Sequence, residues 1–196
     1  MLRKTISFVL FFSYLYRSVL CEPSYTYKLK NIECLTKPAY ATNVSCLVKA
    51  INWNKAVAQM DVDLVQPLRN ISVRLQYFKR DYSNQYQPFL VDVMIKFCDI
   101  LSKRNFSPYG IMLLQVTKRF TNFNHSCPFS GHLLARNAYF DESFFPNLLP
   151  LGLYKTNITV WEGYAKRPNG HVGDIVWYME VMPAYKKKNR TQTYPF

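Results

Sequence analysis

Three histidines, His125, His132 and His171, are the side chains of this sequence best suited to proton transfer near neutral pH. Catalysis through them would need a nucleophile, a base and an orienting group brought together. Only His125 has a distinctive setting, the stretch Asn122-Phe123-Asn124-His125-Ser126-Cys127-Pro128-Phe129. There Cys127 is expected in a disulfide and Pro128 in a turn, so a structural role is expected for His125. A basic secreted ribonuclease would set an acid, a base and a cation around a phosphate, and no such pattern surrounds these histidines. Gly-rich phosphate loops and the His pairs of zinc hydrolases are missing as well. The sequence therefore predicts neither an enzyme nor a resident cofactor or metal.

The cysteines point elsewhere. Arg3 and Lys4 precede an apolar run over residues 6–16, about half the ~20 residues needed to cross a bilayer, which reads as a secretory signal peptide spanning residues 1–21. Its removal takes Cys21 from the 5 cysteines and leaves Cys34, Cys46, Cys98 and Cys127. An even set in an oxidising compartment predicts two disulfides, for which sequence allows three connectivities. Cys34 with Cys46 and Cys98 with Cys127 is favoured, because each pair ties neighbouring segments. Each closed loop would restrict the unfolded chain by roughly 3 to 4 kcal/mol. None of these cysteines has the close spacing of a zinc ligand couple. Asn-x-Ser/Thr sequons at Asn43, Asn70, Asn105, Asn124, Asn157 and Asn189 exceed the chance frequency and suit a glycosylated surface, although Asn124 is crowded by Cys127.

The formal charge is +13, or +10 once Arg3, Lys4 and Arg17 of the leader are set aside. The one dense cationic cluster is Lys186-Lys187-Lys188-Asn189-Arg190, in a basic tail over residues 186–196. Elsewhere cations are interleaved with apolar residues, so a solvated surface is expected and nucleic acid is not an expected partner. An anionic surface or a membrane receptor is a possible macromolecular partner, and the chain is expected to be a monomer. Its 15 Tyr, 14 Phe and 3 Trp supply much rigid apolar surface. That surface either fills a core or lines a cavity for a small apolar ligand.

The elements that would position these aromatics are mostly strands. Ala58, Met60, Val62 and Leu64 alternate with Gln59, Asp61 and Asp63, and Ile71, Val73, Leu75 and Tyr77 alternate with Ser72, Arg74 and Gln76. This is the two-residue period of half-buried strands. The break at Gln66-Pro67-Leu68-Arg69 suggests that the two runs form an antiparallel pair. Residues 29–35, 44–53, 89–98, 131–140, 154–161 and 174–182 add further strand candidates, rich in β-branched and aromatic residues. The one persuasive helix begins near Pro108, with Tyr109, Met112, Leu113, Val116 and Phe120 on one stripe. About eight short strands and one helix predict an all-β, immunoglobulin-like two-sheet sandwich with a helical insertion near residues 108–120, in one domain over residues 22–185. If the sheets part, Phe89, Phe97, Met112, Val116, Phe120, Phe140 and Trp161 are the candidates to line the cavity. Ligand occupancy then depends on apolar side chains near the helix and the strand over residues 89–98, and not on a histidine.

The Asn122 to Phe129 stretch, with Gln87-Pro88-Phe89-Leu90, Cys98 and Leu149-Pro150-Leu151-Gly152-Leu153-Tyr154, resembles a family of small secreted insect proteins catalogued as a domain of unknown function. That family includes the chemosensory CheB proteins and is allied to the ML lipid-recognition superfamily. The resemblance runs from about Asn31 to Trp161. It departs at Lys96 and Leu153, where the family often has acidic residues. It implies an ML-like sandwich whose sheets part to admit a lipid or hydrocarbon and, for some members, detection of contact pheromones. An extracellular interaction module with a solid core, acting through its basic surface and tail, is the alternative.

Overall fold

In a computed structural model the described residues are 25–102, 107–140, 149–164 and 169–183. The signal peptide, Asn105, Asn189 and the basic tail lie outside them. The described chain runs β1 (Tyr25–Thr36), β2 (Ala41–Ala50), β3 (Ala56–Leu64), β4 (Ile71–Arg80), β5 (Tyr86–Lys96), α1 (Phe97–Leu101), α2 (Pro108–Phe120), β6 (His132–Ala138), β7 (Gly152–Glu162) and β8 (Gly170–Pro183). Two antiparallel sheets result, a five-stranded one in the order β1-β8-β7-β4-β5 and a three-stranded one in the order β2-β3-β6. The all-β two-sheet sandwich expected from the alternating runs is therefore present.

The β4 run shows why it forms. Ile71, Val73, Leu75 and Tyr77 are all buried, while Ser72, Arg74 and Gln76 between them are more exposed. On the outer face the Arg74 guanidinium grips Asp92 of β5 through two hydrogen bonds of 2.8 and 2.7 Å, and Gln76 donates to the same carboxylate at 3.0 Å. Two cross-strand partners thus fix the β4–β5 register on the wet side while the apolar row fixes it on the dry side.

The expected pairing of β3 with β4 is not what occurs. β3 pairs with β2 and β6, and β4 pairs with β5 and β7 in the opposite sheet. The connection at residues 65–70 crosses the sandwich, and Leu68 drops into the core, where its backbone exchanges two hydrogen bonds of 2.8 and 2.9 Å with Phe129. Alternation reveals that both runs have a dry face, but two dry faces can be met by facing one another across a sandwich as well as by lying side by side.

A second correction concerns residues 89–98. The strand ends at Lys96, and Phe97 and Cys98 open the short helix α1, in which Phe97 and Ile100 are both buried three positions apart. That is helical spacing, not strand spacing. The strand is also an edge of its sheet. Similarly, residues 51–53 leave the β2 pattern to form a turn, with the Ile51 and Asn52 amides both donating to the Lys55 carbonyl. The main helix α2 begins as expected. Pro108 occupies its first turn, the Ser107 hydroxyl caps the Gly110 amide at 3.1 Å, and Lys118 and Arg119 lie in the last turn, where cations suit the helix dipole.

Both favoured disulfides are formed, Cys34–Cys46 and Cys98–Cys127. Cys34 lies on β1 and Cys46 on β2, the edge strands on one side of the sandwich. Cys98 lies in α1, directly after the edge strand β5, and Cys127 lies shortly before the edge strand β6, on the other side. Each bridge thus fastens one sheet to the other along one margin. On the β1 side, β8 comes so close that a Cβ at Gly173 would strike the Leu35 backbone carbonyl. Because a backbone oxygen held in a ladder cannot swing aside, Gly173→Ala is expected to destabilise the protein by about 1 to 3 kcal/mol, as overpacking does. A thermal midpoint unchanged from that of the parent would contradict this.

Candidate functional site

Between the sheets the inner side chains do not close on one another. They surround a cavity of about 240 Å³. Its walls come from Leu75 and Tyr77 on β4, Ile158 and Val160 on β7, and Ile175 and Trp177 on β8. Opposite them stand Met60 and Val62 on β3 and Leu133 and Ala135 on β6. Met112, Leu113 and Val116 of α2 line it too, with Phe97, Phe123 and Phe129 grouped near the Cys98–Cys127 bridge. The Phe129 ring lies 6.2 Å from that of Phe97 and 5.8 Å from that of Phe123, in tilted and edge-on contacts. The two disulfides set how far the sheets can part at their margins.

Protein interiors ordinarily pack as densely as organic crystals. At ~24 cal/mol for each Å³ left void, a space of this size forgoes packing on the order of 5 kcal/mol. A lining this apolar repels water, since even an engineered apolar cavity of ~150 Å³ stays dry and takes up apolar molecules. The volume is somewhat below the ~300 Å³ at which small-molecule sites usually begin, which suits a small or slender ligand.

Four of the seven sequence candidates, Phe97, Met112, Val116 and Phe140, line this cavity. Three are placed elsewhere. Phe89 packs edge-on against Tyr154 at 5.8 Å, Phe120 leans on Tyr139 at 5.2 Å, and Trp161 lies over the His171 ring at 5.0 Å. The sequence reading missed Tyr77, Thr156 and Trp177, which form one cross-strand row over β4, β7 and β8 on the cavity wall. The alternation of β4 already put Tyr77 on the dry face; Thr156 and Trp177 carried no such signal. The Tyr77 hydroxyl donates to the Met112 sulfur at 3.9 Å, and burial pushes its pKa up, so the phenol stays neutral.

Charge is scarce around the cavity. Among the described residues no Lys, Arg or His lines it, and its two carboxylates, Asp61 and Asp174, already have partners in Arg136 and His171. His125 lies outside, its ring edge-on to Phe129 at 5.2 Å and its Nδ1 2.8 Å from the Ser126 carbonyl. Asn43, Asn70 and Asn124 are exposed, whereas Asn157 sits within β7, its side-chain oxygen buried. Among the described residues no cluster suited to a metal ion is formed.

Residues 73–156 match the model of a family described as protein of unknown function (DUF1091). Across that segment the chain is similar to this family. The DUF1091 segment begins within β4 and ends within β7, so it holds α1, α2, the Cys98–Cys127 bridge, the Asn122 to Phe129 stretch and much of the cavity wall. Tyr77 and Thr156 fall inside the DUF1091 match, and Trp177 beyond it. No curated protein matches the chain in a sequence comparison.

One polar cluster, of which Asp61 alone lines the cavity, was missed by the sequence reading. His132 of β6 sets Nδ1 2.6 Å from Asp63 and Nε2 3.1 Å from Asp61, while Arg136 donates to Asp61 at 2.8 Å and Asn43 to Asp63 at 2.7 Å. The hydrogen bond that His132 donates to Asp63, with a further one to Asp61, raises the His132 pKa above 6.5. The Arg136 hydrogen bond lowers that of Asp61, and the Asn43 and His132 hydrogen bonds lower that of Asp63, below 3.8. The His132 contribution to stability is therefore complete below pH 6.5 and lost as pH rises through its raised value. The carboxylates contribute above 3.8 and lose their contribution as pH falls through their lowered values. His132→Gln is expected to remove a small drop in thermal midpoint that the parent shows on the alkaline side of 6.5. Identical midpoint profiles for parent and variant would contradict this.

Proposed function

We propose that this protein is a secreted, non-catalytic binding protein that carries a small apolar ligand between its two sheets. The observation that carries the reading is the apolar cavity of about 240 Å³, walled by both sheets and α2 and held at each margin by a disulfide. Burial of apolar surface gives about 25 cal/mol per Å², enough for a slender lipid or hydrocarbon to bind with few polar contacts. The two disulfides fit an oxidising compartment, and no described helix is long and apolar enough to cross a membrane. The signal-like leader and exposed Asn43 and Asn70 support secretion and glycosylation. The resemblance to chemosensory and ML lipid-recognition proteins supports delivery of a pheromone-like molecule to a membrane receptor.

The test is organic extraction of the purified protein, followed by mass spectrometry, together with uptake measurements on fatty acids, hydrocarbons and sterols. A co-purifying lipid or saturable uptake is expected. Empty protein that takes up none of them would instead favour a module acting through its basic surface, to be sought as salt-sensitive heparin binding lost on deletion of Lys186 to Arg190.

A further inference from the structure

Within the apolar wall two polar atoms stand unsatisfied. Thr156 is 2% and Trp177 3% exposed, both side chains line the cavity, and neither Thr156 Oγ1 nor Trp177 Nε1 has a hydrogen-bond partner among the described residues. They are direct cross-strand neighbours on β7 and β8, so both stand on one patch of wall. Buried polar groups without partners are uncommon because each costs its full desolvation penalty. Two of them side by side, facing an otherwise apolar space, mark a place where a ligand supplies the missing partner.

The chemistry of the pair restricts that partner. An indole N–H only donates, whereas a threonine hydroxyl both donates and accepts. One oxygen can accept from Trp177, and if it carries a hydrogen it can donate to Thr156. Among the described residues no cation lines the cavity, and its two carboxylates, Asp61 and Asp174, are paired with Arg136 and His171. An ionised head group would enter without a free counter-charge in the lining, which disfavours a carboxylate.

We propose that the cavity selects a neutral, oxygen-bearing aliphatic molecule, an alcohol, ester or ketone, whose oxygen is held by the Trp177 indole N–H and the Thr156 hydroxyl. This rests on the cavity being the ligand site. The hydrocarbon tail then lies along the apolar wall toward Ile158 and Val160, and a plain hydrocarbon leaves both polar atoms unpaired.

Calorimetric titration of the full protein with dodecane, dodecanol and dodecanoate tests this in the parent and in Thr156→Val and Trp177→Phe. Thr156→Val keeps the side-chain shape and removes an unpaired hydroxyl, so its thermal midpoint should match or exceed the parent's. Dodecanol is expected to bind roughly tenfold more tightly than dodecane in the parent, with dodecanoate weaker than dodecanol. In both variants the preference for the alcohol over the alkane should largely disappear, with dodecane affinity kept in Thr156→Val. Equal affinity for alcohol and alkane in the parent, or an undiminished preference in both variants, overturns the proposal while leaving the cavity as a binding site. Absence of binding by all three overturns the cavity reading and this proposal with it.

Discussion

Replacing Cys127 with Ser is expected to abolish recovery of correctly folded protein. The Cys98–Cys127 bridge closes a sequence separation of 29 residues and is the covalent tie between the end of β5 and the segment entering β6. It is also embedded in packing. Phe97 and Phe129 bury themselves beside it, and the Ile71 amide donates to Cys98 Sγ at 3.2 Å, linking the bridge to the start of β4. Without it, α1 loses its covalent tie to the segment entering the three-stranded sheet, and the margin of the cavity is free to open to water. Loss of a native disulfide from a small secreted domain costs about 2 to 5 kcal/mol, a large part of the ~5 to 15 kcal/mol that holds a domain together. Expression of Cys127→Ser beside the parent, with a free-thiol assay on whatever is recovered, measures this. The parent should show no reactive thiol; two or more in correctly folded parent protein, or normal yield of the variant, would contradict the role given to the bridge.

The second large effect is on binding. Ile158→Trp is expected to eliminate ligand uptake while leaving the fold intact. Ile158 projects from β7 where the two apolar clusters of the interior meet, and it lines the cavity. In a filled core an indole at this position would force its neighbours apart, at about 1 to 3 kcal/mol. Against a void of about 240 Å³ it has space to enter. Dodecanol affinity should fall at least ~100-fold if the indole occupies the volume that the ligand needs, a loss of about 2.7 kcal/mol. Thermal unfolding and titration on the same sample separate the cases. A marked drop in thermal midpoint with unchanged binding is the signature of a solid core and a ligand site elsewhere.

These expectations show how far the residues speak for themselves. The alternating runs of β3 and β4 announced dry faces, and the Pro108 start with its apolar stripe announced α2, because these are local patterns with a fixed period. Strand partnership is not local. Whether β3 meets β4 edge to edge or across the interior depends on where Leu68 and Phe129 pair, and a single sequence carries no trace of that contact. The pairing of the cysteines was readable because four positions leave few choices. A hollow interior was not, since Leu75, Ile158 and Val160 would be equally apolar in a filled core. The aromatic candidates divided for the same reason. Phe97 and Phe140 turn inward, while Phe89 lies near a left-handed residue, Leu90, on the irregular edge strand and packs on Tyr154. Trp161 follows a register shift in β7 that breaks its alternation. Thr156 and Trp177 are ordinary strand residues until β7 and β8 set them side by side.

The most direct measurement is photo-crosslinking with a dodecanol analogue that carries a diazirine on its chain, followed by peptide mapping. If the ligand lies between the sheets, adducts fall on β7 and α2, at Ile158, Val160 or Val116, and unlabelled dodecanol suppresses them. Adducts confined to outer positions such as Trp53, Tyr82 or Met94, or labelling that unlabelled dodecanol does not reduce, would contradict the cavity as the site.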